Sequence, residues 1–159
     1  MAYQDNKNRS GYPSRDTNPT SQNVTLAYGR EKKIPFDMNW ITTGITDDCI
    51  TFAEGFGSHL EQNKFTTSQI RNVFGEIKRI QMSGFGNQEA KTDFLLLKPK
   101  MAYAAKRAGN TGAADFERVM KLAHEAVKAK TENDVLRFKN FCDFIEAILA
   151  YHKAAGGRD

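Results

Sequence analysis

With 159 residues, 40% of them hydrophobic and 26% charged, the chain is long enough for one domain with a real core and too short for two. No segment approaches the ~20 apolar residues of a membrane helix, and Met1 to Thr20 lack the apolar core of a signal peptide, so a cytoplasmic protein without membrane contact is expected. The net charge of +4 is uneven: Lys64 to Arg107 hold nine Lys or Arg against Glu76, Glu89 and Asp93, a block that suits either a polyanion-facing surface or the solvated faces of ordinary helices.

Residues 1–40 read as a polar, flexible N-terminal tail and residues 41–159 as a helical bundle domain. The tail is rich in Asn, Ser, Thr, Gln and Arg, holds Pro13, Pro19 and Pro35, and shows no apolar periodicity, so it cannot bury enough surface to offset its ordering entropy. Trp40 and Ile41 begin the apolar part. Thr46 is the first predicted cap, with Asp47 and Asp48 favourable to the helix dipole and Ile45 and Ile50 placed as a staple. Cys49, Phe52, Ala53, Phe56 and Leu60 form one face of a helix that ends near Asn63, which Gly55 and Gly57 weaken in exchange for close packing or a bend. Cys49 and Cys142 stand at no metal-ligand spacing and read as reduced, buried thiols.

The next helix is the best specified. Thr66 and Gln69 make a capping box, Phe65 and Ile70 a hydrophobic staple, and Ile70, Val73, Phe74, Ile77 and Ile80 a core face as far as Ser83, where Gly84, Gly86 and Asn87 break it. Phe94 to Leu97 is an apolar run with no partner strand elsewhere, so it is assigned to a third helix that Gly109 and Gly112 end. Pro99 either kinks that helix or opens a new one. A fourth helix spans about Ala113 to Lys130, with Phe116, Val119, Met120, Ala123, Ala126 and Val127 as its stripe. Thr131 is expected to cap the last one, in which Val135, Phe138, Phe141, Cys142, Ile145, Ile148 and Leu149 share a broad arc before Gly156 and Gly157. The fold class is therefore all-α, a compact bundle of about five helices with an extended N-terminal tail.

Little points to catalysis. His59, His124 and His152 have no helical partner at metal-ligand spacing and read as core or boundary residues, so no metal is expected. Gly84 to Gly86 match neither a dinucleotide fingerprint nor a P-loop, and no nucleophile stands beside a base. No cofactor and no catalytic residue is predicted. The cations say more: Arg71, Lys78 and Arg79 surround Gly75, whose missing side chain leaves room for a phosphate backbone or for another helix. Lys98, Lys100, Lys106 and Arg107 continue that surface. Tyr103 lies among them, placed either to stack a base or to sit in the core with a wet hydroxyl.

Three stretches together resemble the small helical subunit of type III-A CRISPR (Csm) effector complexes. They are Phe65-Thr66-Thr67-Ser68-Gln69-Ile70-Arg71, Leu97-Lys98-Pro99-Lys100-Met101-Ala102-Tyr103, and Glu146-Ala147-Ile148-Leu149-Ala150-Tyr151-His152-Lys153 with the closing Gly156 and Gly157. Each alone is weak; their order and spacing, across Ile45 to Gly157, are specific. The resemblance implies a non-catalytic bundle of about five helices, present in several copies beside the backbone subunits and lining the groove that holds guide RNA paired to target RNA. Cleavage then belongs to the backbone subunit and DNase activity to the large subunit. The long N-terminal tail departs from the family pattern, and Met101 replaces a branched aliphatic residue, a mild change.

The expected function is sequence-independent binding of the RNA backbone by Arg71, Lys78, Arg79, Lys98, Lys100, Lys106 and Arg107, with guide RNA, target RNA, the other subunits and further copies of the chain as partners. The alternatives are a purely structural assembly subunit with incidental RNA contact, and a small ribonuclease using His152 or His124.

Overall fold

The computed structural model describes residues 26–157; residues 1–25, the greater part of the predicted tail, lie outside the described residues. The antiparallel pair β1 (Ala27–Tyr28) and β2 (Ile34–Pro35) sets Ala27 opposite Pro35 and Tyr28 opposite Ile34. Six helices follow: α1 (Asn39–Thr42), α2 (Asp47–Gln62), α3 (Thr67–Ser83), α4 (Gln88–Ala108), α5 (Thr111–Lys128) and α6 (Asp134–Ala154). The fold is all-α, and the five long helices stand where the periodicity puts them. The sixth, α1, is a single turn around the buried Trp40 and Ile41, too short for any period to show in sequence.

Local chemistry sets most boundaries. Thr46 Oγ1 accepts the Cys49 N–H at 3.3 Å, and both halves of the Thr66–Gln69 capping box form. Asn87 and Asn110 cap α4 and α5 in the same way, accepting from Ala90 at 2.8 Å and Ala113 at 2.7 Å. Each satisfies a donor that the first helical turn leaves unpaired. The start of α6 corrects the prediction: Thr131 does not cap it. The helix begins after Asn133, which sits in the left-handed region at φ 58° with no side-chain cap. A buried Arg137 closes this corner, donating from Nε to the Val127 carbonyl at 3.0 Å and from its guanidinium to the Lys130 carbonyl. A cation thus meets carbonyls in the last turn of α5 and just beyond it.

Pro99 opens no new helix, since α4 runs unbroken through it. Pro99 and Leu95, four residues earlier, are both exposed, so the carbonyl that loses its partner can turn to water. Within the run Phe94 to Leu97, only Phe94 and Leu97 are buried, as a helical rather than a strand period requires.

The helix α6 is the hub, packed by α1, α2, α3 and α5, and it buries Phe138, Phe141, Phe144, Ile145, Ile148 and His152 around its circumference. Val135, at its start, is exposed because the corner lifts that turn off the core. Gly57 fixes the closest approach of α2, since a Cβ there would stand 2.6 Å from the His152 nitrogen and 2.8 Å from Tyr151. Close packing, not a bend, is therefore its use. An aromatic cluster binds the N-terminal elements to the bundle, with Trp40 at 5.2 Å and Tyr28 at 5.4 Å from the Phe52 ring. Asn140 adds a hydrogen bond to the Ile41 carbonyl at 3.0 Å. Cys49 and Cys142 are free, buried thiols, each pushed by burial up to about 12.

Candidate nucleic-acid interface

The basic block folds into two antiparallel neighbours, α3 and α4, joined by the turn at Gly84 to Asn87. Their charged side chains meet along the seam. Glu76 Oε2 lies 3.0 Å from Arg79 Nη2 and 3.3 Å from Lys100 Nζ, and Arg79 Nη1 lies 3.0 Å from Asp93 Oδ2. Hydrogen bonds from Arg79 and Lys100 hold the Glu76 carboxyl below its ordinary value, and those to Glu76 and Asp93 raise the Arg79 guanidinium above its own. Two cations and two carboxylates balance there.

The other predicted cations divide between different faces. Lys78 leans toward α6, 3.8 Å from Glu146 and 5.1 Å from the centre of the Phe74 ring. Lys98 turns the opposite way, to Glu125 of α5 at 3.5 Å, so the structure separates it from Lys100 although only Pro99 parts them in sequence. Arg71 is exposed on the outer face of α3. Lys106 and Arg107, in the last turn of α4 where the helix dipole favours cations, form no ion pair among the described residues. Gly75 is exposed, and a Cβ there would meet nothing within 4 Å, so no helix of the described chain exploits it for close approach.

Beside these cations a cleft of about 470 Å³ opens between the first turns of α3, the last turns of α4 and the start of α5. Phe65, Val73, Met101 and Phe116 line its floor; Gln69, Asn72, Tyr103 and Arg107 line its rim. Sequence reasoning missed the two amides, because Gln and Asn on a helix carry no chemical signature and only their three-residue spacing puts them side by side. The outer face of α4 is apolar beyond Tyr103. Leu95 is 48% and Leu96 46% exposed, with Pro99 between them on the same arc.

A family model described as Csm2 Type III-A matches residues 45–158, well over half of the chain. The chain belongs to the Csm2 type III-A family. Csm2 is the small structural subunit of the type III-A CRISPR effector complex, so the other Csm subunits are its partners. A search of curated proteins and a search of solved structures return no match. The matched region holds α2 to α6 and leaves out the hairpin and α1.

Two of the three Csm2-like stretches meet in the fold. His152 Nε2 lies 2.6 Å from the Phe65 carbonyl oxygen, so the ring donates there and ties the end of α6 to the entrance of α3. Gly157 then packs against the ring and donates to the His152 carbonyl at 3.0 Å. His124 is engaged in the same manner, with Nε2 2.7 Å from the Phe94 carbonyl and its ring stacked at 4.1 Å on that of Phe94. Burial holds its pKa below the ordinary value. His59 is half-buried, its Nε2 2.7 Å from Asp115. Among the described residues no three His, Cys, Asp or Glu cluster as metal ligands, and no helix is long and apolar enough to cross a membrane.

Proposed function

We propose that this Csm2 chain is a non-catalytic subunit that binds the backbone of guide or target RNA through the outer face of α3 and the end of α4, in several copies along a cytoplasmic type III-A effector. The observation that carries the reading is the placement of Arg71, Gly75, Lys106 and Arg107 on exposed surface of one α3–α4 layer. Arg71, which has an interaction of its own, and Lys106 and Arg107 supply exposed charge. Lys78, Arg79 and Lys100 stand beside them with carboxylate partners they can exchange for phosphate, because water and salt screen ion pairs this exposed. Lys98 contributes to the α5 side of the same helix. No base readout is needed when the guide reads sequence by pairing.

The burial of His124 and His152, with Nε2 of each engaged by a backbone carbonyl, supports a role without catalysis, since a general base must reach its substrate. RNA degradation in the presence of chelator that is lost with His152→Ala would overturn it. The binding itself is tested by measuring affinity for several single-stranded RNAs against salt. Arg71→Ala with Lys78→Ala is expected to weaken all of them alike and to reduce the slope of log K on log salt by ~0.7 for each phosphate that is no longer neutralised. An unchanged slope rules these residues out.

A second reading, a subunit whose surfaces serve assembly while RNA contact is incidental, draws on the apolar arc of Leu95, Leu96 and Pro99. Loss of target RNA binding with intact assembly in the basic variants favours the first reading. Loss of assembly favours the second.

A further inference from the structure

We infer that the cleft between α3, α4 and α5 holds one unpaired nucleotide of the bound RNA, its base in the cleft and its phosphate at the rim. The inference rests on the backbone-binding reading above and adds a ligand class to it. A nucleobase is a flat body with apolar faces and a polar edge, and the cleft presents the matching surfaces. Its volume of 470 Å³ lies in the ~300–1,000 Å³ range of small-ligand sites, which pair an apolar lining with a few convergent polar groups. Phe65 and Phe116, rings 4.9 Å apart, belong to the floor. On the rim, Tyr103 is 68% exposed, an orientation that leaves one ring face open for stacking.

The polar groups have hydrogen-bonding capacity to spare. Gln69 has engaged only Oε1, which accepts the Thr66 N–H at 3.0 Å, and its Nε2 donors remain. The Asn72 amide, the Tyr103 hydroxyl and the Arg107 guanidinium have no protein partner among the described residues. Amides of this kind match the donors and acceptors of a base edge, and a guanidinium matches a phosphate in bidentate geometry. Charge argues for the same occupant, because Arg107 at the rim makes the mouth cationic and no carboxylate lines the cleft. A base held in a duplex cannot expose both faces and its edge, so the ligand is a splayed nucleotide in a single strand.

The test uses the full-length chain and two RNAs of equal length, one with normal bases and one with abasic sites throughout its central part, so that phosphate number is constant. The wild type is expected to bind the base-bearing strand at least 5-fold more tightly, in keeping with the stacking of one base. Tyr103→Ala should abolish that preference and leave the salt slope unchanged, whereas Tyr103→Phe should retain it. Exposure of Tyr103 makes both variants compatible with the fold, which an unchanged melting temperature verifies. Equal wild-type affinity for the two strands with a normal salt slope overturns the nucleotide cleft and leaves the backbone reading standing. Absence of salt-dependent binding to either strand overturns both.

Discussion

Gly75 and His124 stand in opposite surroundings, the first in open solvent and the second fully buried. Gly75 sits in the exposed interior of α3 with open space where a Cβ would be, so stability alone favours alanine there by ~0.5–1 kcal/mol. Gly75→Ala is accordingly expected to raise the melting temperature. If phosphate approaches that backbone, the same variant weakens RNA binding, and an affinity equal to wild type would show that no phosphate comes so close. His124 carries a pH dependence. Burial lowers its pKa, Lys128 and Lys98 lower it further, and the Phe94 carbonyl and Glu125 oppose them. The folded state therefore holds a neutral ring at pH values where the unfolded chain, titrating near ~6.5, already binds a proton. Stability from this group is complete above that value and declines as pH falls below it, with a slope of at most ~1.4 kcal/mol per pH unit for one proton. Thermal unfolding between pH 7.5 and 5.5 should show the decline, and His124→Gln should flatten it.

At the scale of elements, the bundle depends on how closely α2 crosses α6. Gly57 meets the backbone of Tyr151 and His152, not a side chain that could rotate away. Gly57→Ala must push the two helices apart and disturb the His152 hydrogen bond to Phe65, and the expected loss is ~1–3 kcal/mol or more. Denaturant unfolding measures it. A wild-type midpoint would mean that the crossing is softer than the packing around it implies. The consequence reaches the α3–α4 layer proposed above to bind RNA, because that hydrogen bond holds the entrance of α3. By contrast the outer turns of α3 and α4 touch the core with one face only, and substitutions of Lys106 or Arg107 should leave stability unchanged.

At the scale of the whole molecule, the chain presents two surfaces with different chemistry on one layer: cations at the outer face of α3 and the end of α4, and apolar side chains at Leu95, Leu96 and Pro99. Charged groups set association rate and salt dependence, whereas apolar area sets residence. Leu95→Ser with Leu96→Ser is expected to leave the melting temperature of the isolated chain unchanged and to reduce its incorporation into the effector complex, read as subunit stoichiometry after purification. Full stoichiometry would remove α4 from the assembly surface.

The sequence by itself determined five long helices and the basic block, because capping boxes, glycine stops and the 3.6-residue period act between residues close in the chain. Thr66 with Gln69, or Phe94 with Leu97, needs no knowledge of the rest. It failed where geometry overrode a local signal, as at Thr131, which Asn133 and the buried Arg137 displace. The candidate site was legible only as a set of cations. Which of them pair across helices was decided by tertiary structure alone, since Glu125 and Glu146 reach Lys98 and Lys78 from helices far along the chain. The cleft is of the same kind: Gln69, Asn72, Tyr103 and Phe116 converge only when three helices pack, and side chains brought together by packing leave no periodic trace in the order of residues.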